Sequence, residues 1–357
     1  MAERDGGREA EHDGESASAR RRAEERRHER RRRRQLARDA ASAREAARGR
    51  GRLGDGATER RSRSLTPAGA RRRPHLDPDA AAVAITLDAS LATRDLDPLT
   101  RFRRAISHDL HTEAPPAHAE ALRMLAHAEI VGAGRIAYSS NATFLLELDA
   151  GDPFVVGEPL RAVYKPARGE RPLWDFPRHT LHFREVASYL VDSALESGLI
   201  PPTTLRDGPY GPGSVQLLIH AARQPLSAQQ EEEVAEQLHR LAALDVLINN
   251  ADRKSAHLLV SRDARLFGID NALTFLPYPR QRTVLLDLGG SVLPEPVTEA
   301  VQSLASDDGR RDALRRKLAL LLAPVEVKAF EHRLRELAED PVYPVLDDWD
   351  GRPFEWF

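Results

Sequence analysis

Two aspartates, Asp252 and Asp270, each lie where an apolar segment gives way to polar residues. Asp252 belongs to the polar cluster 249–253 (NNADR), which follows an apolar run with helical spacing. The runs 257–260 and 266–269 predict two short strands joined as a hairpin. Such a hairpin brings both aspartates to the same end. Two carboxylates placed in this way can hold a divalent cation and orient a hydroxyl, as phosphoryl transfer requires.

A lysine and a glutamate upstream suggest the same chemistry. The run 160–165 (LRAVYK) predicts a strand that ends at Lys165 and is followed by proline. Apolar positions over 182–195 predict a helix whose early turns carry Glu185, within reach of Lys165. A lone strand lysine is usually a solvated strand end. A strand lysine paired with a helix glutamate, however, is the arrangement with which kinases hold the α- and β-phosphates of ATP.

Two further segments would complete a nucleotide site. Between the predicted strands 129–137 and 142–148 lies a short polar turn, whose backbone N–H groups can approach a phosphate. The side chains expected to cover the phosphates are Ser139, Ser140 and Asn141. The predicted strand 214–219 leads into the connection between lobes, where an adenine would be bracketed. The residues assigned to that contact are Leu217 and Ile219.

Composition separates an N-terminal tail from the rest of the chain. Residues 1–75 are rich in arginine and almost free of large apolar residues, which predicts disorder or a solvated helix. The arginine run 30–34 suits an anionic partner such as nucleic acid or lipid, although a simple charged tail is an equally good interpretation. The overall charge of −2 therefore combines a basic tail with an acidic remainder, which argues against nucleic acid as the main ligand of the folded part.

Several functional classes are excluded by composition. The chain has no cysteine, so disulfides, zinc–thiolate sites and thiol catalysis are excluded. No apolar run approaches the roughly 18 residues of a membrane span, and the polar N-terminus is no secretory signal. A soluble cytoplasmic protein is expected. The histidines of the region before the first strand are interpreted as scattered surface residues: His108, His111, His118 and His127.

The ordered motifs resemble a known family. NADR at 250–253 and GIDNALTF at 268–275 look like the catalytic and metal-binding loops of the phosphatidylinositol 3-/4-kinase superfamily, most closely its type II 4-kinases, and are similar to those of HipA-type kinases. VYKP at 163–166, GERPLWDFP at 169–177, LIPPT at 199–203 and NNADRK at 249–254 resemble an actinobacterial family of uncharacterised phosphatidylinositol 3-/4-kinase-like proteins. The likeness spans about residues 125–290.

The resemblance implies an α+β, two-lobed protein-kinase-like fold with a β-rich N-lobe and a mainly helical C-lobe. The expected divisions are a disordered tail at 1–75, an extension at 76–116, an N-lobe at 117–220 and a C-lobe at 221–357. Lys165 would bind the phosphates of ATP, Glu185 would orient it and Asp252 would face the acceptor hydroxyl. Asp270 would hold Mg²⁺ or Mn²⁺. The residues expected to brace the catalytic loop are Asn250 and Arg253, and Asp245 is expected to hydrogen-bond it.

One departure bears on activity. The related kinases usually place an asparagine, a second metal ligand, five residues after the catalytic acid, and here that position is His257. Imidazole is a poor ligand for Mg²⁺. Three alternatives follow: one metal ion is sufficient, Mn²⁺ is used in place of Mg²⁺, or nucleotide is bound without turnover. An ATP-dependent kinase acting on a protein or small-molecule hydroxyl is therefore the first hypothesis. The alternatives are a pseudokinase that acts as a scaffold or sensor, and a transferase that moves AMP.

Overall fold

Five short strands form one antiparallel sheet in the first half of the described chain. The computed structural model describes residues 96–137, 141–149, 159–347 and 350–353. The strands of the sheet are β1 (Ile130–Arg135), β2 (Phe144–Leu148), β3 (Leu160–Pro166), β4 (Thr203–Gly208) and β5 (Gly211–Leu217). Their order is β1-β2-β3-β5-β4, which makes β3 the central strand.

The central strand β3 carries Lys165 on a defined face. Side chains alternate between the two faces of a strand, and Ala162, Tyr164 and Pro166 are buried on one of them. Lys165 therefore lies on the opposite face, paired in register with Ser214 of β5. The position of the lysine follows directly from the alternation of apolar residues in this strand.

Seven helices account for much of the rest of the described residues. They are α1 (Pro98–Ile106), α2 (Pro116–His127), α3 (Leu181–Ala194), α4 (Ala228–Ile248), α5 (Glu295–Ser306), α6 (Asp308–Leu321) and α7 (Pro324–Glu339). Polar caps fix several of their starts. Asp97 accepts the backbone N–H groups of Leu99 and Thr100 at α1, and Ser227 forms a capping box with Gln230 at α4.

Two of the three apolar clusters among the described residues hold these layers together. The smaller one joins the sheet to α2 and contains Leu125, Leu146 and Tyr164. The larger one joins α1, α3 and the helices α4 to α7. Helix α3 thus packs mainly into the larger core, although it also contacts the sheet. The predicted boundary between lobes at 220/221 remains a prediction.

A two-stranded hairpin follows α4. It consists of β6 (Leu258–Val260) and β7 (Leu266–Gly268). A strand-rich part followed by a mainly helical part confirms the α+β class predicted from the sequence. Residues 1–75, predicted to be a disordered tail, and residues 76–95 of the predicted extension lie outside the described residues.

Among the described residues, two of the four histidines before β1 are half-buried. His108 and His127 are exposed, as expected, but His111 and His118 are half-buried. His111 contacts the Thr204 hydroxyl at 3.0 Å and His118 contacts the Tyr189 hydroxyl at 3.0 Å, so the surface interpretation was wrong for both. Within the described ranges, none of the helices combines the length and apolar character that crossing a membrane demands.

Candidate active site

Lys165 and Glu185 form an ion pair between the sheet and helix α3. Glu185 lies on the second turn of α3 with its side chain only 2% exposed, and Lys165 reaches it from the central strand. Burial raises the pKa of Glu185, against the pull of the lysine. Burial also opposes the charge on Lys165, but Asp270 and Glu185 outweigh it and hold the lysine pKa above its ordinary value. A charged lysine is thus fixed between the central strand and α3.

Asp270 joins this pair from a distant part of the chain. Its Oδ1 lies 2.8 Å from Lys165 Nζ, although 105 positions separate the two residues. Its backbone adopts a left-handed conformation, φ 57°, which is uncommon outside glycine and costs free energy unless the surroundings enforce it. The Lys165 ammonium holds the pKa of Asp270 well below its usual range. Because the Asp270 side chain is 48% exposed, its ionised carboxylate is accessible to solvent.

A buried hydrogen-bond network holds the loop after α4 in place. Arg253 binds the fully buried Asp245 through two parallel contacts, 2.9 Å from Nε and 2.8 Å from Nη2. Asn250 donates its side-chain amide to Asp245 at 3.0 Å. Arg253 also donates to the Asn271 side chain at 2.6 Å and to the Ile269 carbonyl at 2.9 Å. The network therefore joins the Asp252 loop to the Asp270 segment.

Asp252 is presented by this network rather than buried in it. The Asn250 side chain accepts the Asp252 backbone N–H at 3.0 Å, and the Asp252 carboxylate pairs with Lys254 Nζ at 2.8 Å. Burial raises the pKa of Asp252, while Lys254 lowers it in part. The negative charge of Asp270 also contributes to the raised pKa. A carboxylate of increased basicity next to an amine is suited to accept a proton from a hydroxyl.

His257 sits between the two aspartates. Its Nδ1 lies 2.9 Å from the Asp252 carbonyl and 3.5 Å from the backbone nitrogen of Lys254. A carbonyl can only accept, so the shorter contact assigns the proton to Nδ1 and leaves the lone pair on Nε2. That Nε2 lies 3.4 Å from Oδ2 of Asp270. Burial keeps the pKa of His257 below its ordinary value, so Nε2 carries no proton at neutral pH. Nε2 of His257 and Oδ2 of Asp270 are therefore two acceptor atoms that face each other.

Nε2 of His257 and Oδ2 of Asp270 are suited to act as two ligands of a divalent cation. Among the described residues, no group of three or more His, Asp or Glu side chains lies close enough together to bind a metal ion. Two donors fit a nucleotide-linked cation, because such ions take one or two protein ligands and complete their shell with phosphates and water. The imidazole nitrogen favours a softer ion such as Mn²⁺ over Mg²⁺. The residues present therefore fit a divalent cation held together with a nucleotide.

Helix α3 is locked to the C-terminal helices next to Glu185. Arg184 forms a buried ion pair with Glu326 of α7 and donates to the Thr274 carbonyl. The Asn271 backbone N–H donates to Glu185 at 3.1 Å, and the Ser188 hydroxyl lies 3.4 Å from the Asn271 carbonyl. The helix that carries the glutamate is thereby tied to the segment that carries Asp270.

The other residues predicted to contact the nucleotide belong to the β1–β2 turn and to the end of β5. Ser139 and Ser140 lie outside the described residues. Asn141 accepts the backbone N–H of Arg171 at 2.8 Å, which ties the β1–β2 turn to the loop after β3. Leu217 ends β5 and packs against the smaller core, and Ile219 follows in the connection to α4. Their roles in binding remain predictions.

A sequence comparison places the chain in a family. Protein Rv2133c of Mycobacterium tuberculosis (strain ATCC 25618 / H37Rv) is 34% identical over 271 residues, which cover 65% of this chain and 93% of that protein. The chain belongs to the Rv2133c family. No established family profile matches the sequence.

Three solved structures illustrate the structural similarity of this Rv2133c-family chain to known proteins, all at low sequence identity. Hydra Fam20 with sugar has a TM-score of 0.44 at 17% identity, covering 61% of this chain and 87% of that one. The Golgi casein kinase with Mn/ADP bound has a TM-score of 0.41 at 14% identity, covering 69% and 86%. The Helicobacter pylori proinflammatory kinase CtkA has a TM-score of 0.40 at 10% identity, covering 62% and 95%.

The structure adds residues to the site that the sequence analysis did not assign. Lys254 pairs with Asp252, and Asn271 accepts from Arg253. Asn249 ends α4 in a left-handed conformation, φ 49°, and donates to the Leu276 and Tyr278 carbonyls. Adjacency in the NNADRK motif was an available signal for Lys254. Asn249 and Asn271 also belong to the quoted NNADRK and GIDNALTF motifs, but their hydrogen-bond partners lie 18 to 29 positions away and no local pattern indicated them.

Proposed function

We propose that this protein is an ATP-dependent phosphotransferase that moves the γ-phosphate of ATP to a hydroxyl group. The observation that carries the proposal is the convergence of Lys165, Glu185 and Asp270 beside Asp252. A fixed ammonium, a cation-binding carboxylate and a proton-accepting carboxylate are the groups that phosphoryl transfer uses. Their positions on β3, α3, the Asp270 segment and the loop after α4 support a kinase-type site.

Each residue has a distinct task in this proposal. Lys165 binds the α- and β-phosphates, and Glu185 keeps its ammonium in place. Asp252 orients the acceptor hydroxyl and takes its proton. Lys254, paired with Asp252, lies where it can neutralise charge on the transferring phosphoryl group. Asn250 and Arg253 hold the loop rigid, so that these groups need little reorganisation during the reaction.

A divalent cation, when bound, would neutralise charge on the phosphates. Asp270 would hold it through its exposed carboxylate, and His257 would offer Nε2 as a second donor. The predicted ion is Mg²⁺ or Mn²⁺, and the nitrogen donor favours Mn²⁺. Asp245 and Arg253 position the loop from below and do not touch the nucleotide in this proposal.

The acceptor site is proposed on the surface next to Asp252. Trp174 is 83% exposed, and the Arg280 guanidinium lies 5.7 Å from its ring centroid. Leu173 and Phe176, on either side of Trp174, pack in a small core with Ala251, so the exposed indole is held close to the Asp252 loop. An exposed tryptophan beside an arginine suits an acceptor with a flat or apolar surface. We propose a protein or small-molecule hydroxyl as the acceptor.

Within kinase-like proteins, we propose the phosphatidylinositol 3-/4-kinase-like group, on the NADR and GIDN motifs. A second candidate function is nucleotide binding without transfer, and His257 is the observation that favours it. Its imidazole replaces the oxygen ligand expected at that position. The two candidates differ in turnover but share the nucleotide site.

Labelled ATP separates these functions. Purified protein is incubated with γ- or α-labelled ATP, Mn²⁺ or Mg²⁺, and lysate proteins or metabolites. The proposal predicts transfer of the γ-label, its loss in Asp252→Asn, and its retention in Asp263→Asn, a control on the exposed β6–β7 turn. Transfer of the α-label would replace the kinase proposal with AMP transfer. A nucleotide-dependent thermal shift without transfer of either label would favour the pseudokinase.

A further inference from the structure

A large cavity lies apart from the candidate active site. It has a volume of about 730 Å³, within the range of small-molecule sites. Its walls come from the α1–α2 connection, the end of α3, the β6–β7 turn and α6. Lys165, Glu185, Asp252 and Asp270 are not among its lining residues.

The cavity combines apolar surface with basic side chains. Leu110, Leu190 and Leu314 supply apolar walls, and the prolines at 115 and 116 extend them. The basic lining residues are Arg265, Arg310 and Lys317, against the acids Glu113 and Glu196. A mixed lining of this kind suits a ligand that has both an apolar body and a charged group.

Arg265 differs from the other two basic residues. Arg310 donates to the Ala194 carbonyl at 2.7 Å and pairs with Glu196 at 2.9 Å. Lys317 pairs with Glu113 at 3.1 Å. Within the described ranges, the Arg265 guanidinium makes no hydrogen bond or ion pair; it lies 5.2 Å from the centroid of the Phe267 ring, and it interacts electrostatically with Asp192 and Asp263. Its donors are therefore available to an anion, for which the planar guanidinium is well suited.

The histidines of the cavity wall do not add to its charge. His111 and His118 both line it, and each is hydrogen-bonded to a neighbouring hydroxyl. Burial lowers the pKa of both, that of His111 to about 4. At neutral pH they are uncharged aromatic rings on either side of Tyr189. The positive charge of the wall therefore comes from Arg265 and the two paired residues, and the rings enlarge the apolar surface.

We propose that this cavity is a second ligand site that takes a small amphipathic anion, a carboxylate or phosphate monoester on an apolar body. The anion binds Arg265, and the apolar body lies against the leucine and proline walls. The cavity also contacts elements that support the candidate active site. Leu199, which follows the cavity residue Gly198, accepts the Gly268 N–H at 2.8 Å, and Gly268 lies two residues before Asp270. A ligand in the cavity would therefore restrain both α3 and β7.

Phenyl phosphate is the probe for this site, with the full chain as the protein. Calorimetric titration should show saturable binding. Arg265→Ala should weaken it by about tenfold or more, because a charge-assisted contact is lost. Two control variants should bind phenyl phosphate with an affinity within about twofold of that of the wild type. One is Arg262→Ala, which removes an exposed arginine on the same turn, and the other is Lys165→Met, which removes the ammonium of the candidate active site. Hydrogen exchange should slow in residues 110–118, 190–198 and 262–268.

Four outcomes would overturn the proposal. Three of them are the absence of saturable binding of both phenyl phosphate and hexanoate up to about 10 mM, equal weakening by Arg262→Ala or Lys165→Met, and protection confined to the candidate active site. Equal affinity for inorganic phosphate would also contradict it, because the apolar walls would then contribute nothing. Replacing phenyl phosphate by hexanoate distinguishes the two anion classes, and binding of either supports the site.

Discussion

The buried ion pair between Arg184 and Glu326 should be one of the most sensitive points of the fold. Both side chains are almost completely buried, and 142 positions separate them. Arg184→Met removes the cation and leaves a carboxylate in the interior, where it still accepts the Ala323 N–H at 2.8 Å. Removal of one partner of a buried pair typically costs about 3–5 kcal/mol. Arg184→Met should therefore lower the free energy of unfolding by that amount.

A double-mutant cycle in urea isolates the pairing. Replacing both residues, Arg184→Met with Glu326→Met, removes both charges and should destabilise much less than the sum of the single changes. We expect a coupling of about 2 kcal/mol or more. Arg123→Ala, which breaks an exposed pair with Glu120 on α2, is the control and should leave the urea midpoint unchanged. A single-variant cost below about 1 kcal/mol, or additivity within about 0.5 kcal/mol, would refute the reasoning.

Three further predictions concern other parts of the structure. Burial raises the pKa of Asp192 to about 7, whereas the pKa of an aspartate in an unfolded chain is roughly 3.9. The folded state therefore binds this proton more tightly than the unfolded state does. As a result, the free energy of unfolding falls as the pH rises from the lower of these two pKa values to the higher. Asp192→Asn should flatten this fall in urea unfolding measured from about pH 5 to 8, and parallel curves would contradict it. Asp245→Asn leaves the buried Arg253 without its anion and should cost about 3 kcal/mol in the same assay, whereas a loss within error would argue against the network. Trp174→Ala should leave the urea midpoint and ATP affinity unchanged but reduce transfer to the acceptor, and unchanged transfer would remove Trp174 from the acceptor site.

Local patterns were sufficient to predict most elements. A short, largely apolar run predicted the strand that carries Lys165, observed as Leu160–Pro166. Helical spacing predicted the helix that carries Glu185 over 182–195, observed as Leu181–Ala194. These patterns are informative because burial of one face sets the period of apolar residues along each element.

Contacts between distant residues were not predictable in the same way. Nothing local indicates that Arg184 meets Glu326, or that Arg265 lines a cavity with residues of α6. The half-buried state of His111 depends on Thr204, 93 positions away. The packing of α3 into the larger core is likewise set by several helices together. Such features depend on how elements pack, which a single sequence does not reveal.

Calorimetric titration of ATP with Mn²⁺ into the wild type and Lys165→Met tests the central claim most directly. Lys328→Met, on the exposed side of α7, is the matched control, and thermal unfolding without nucleotide checks that each variant is folded. The account predicts that Lys165→Met weakens ATP binding by about tenfold or more, because a charge-assisted phosphate contact is lost, while Lys328→Met binds as the wild type does. Equal ATP affinity in a folded Lys165→Met protein would contradict the assignment of the candidate active site as the nucleotide site.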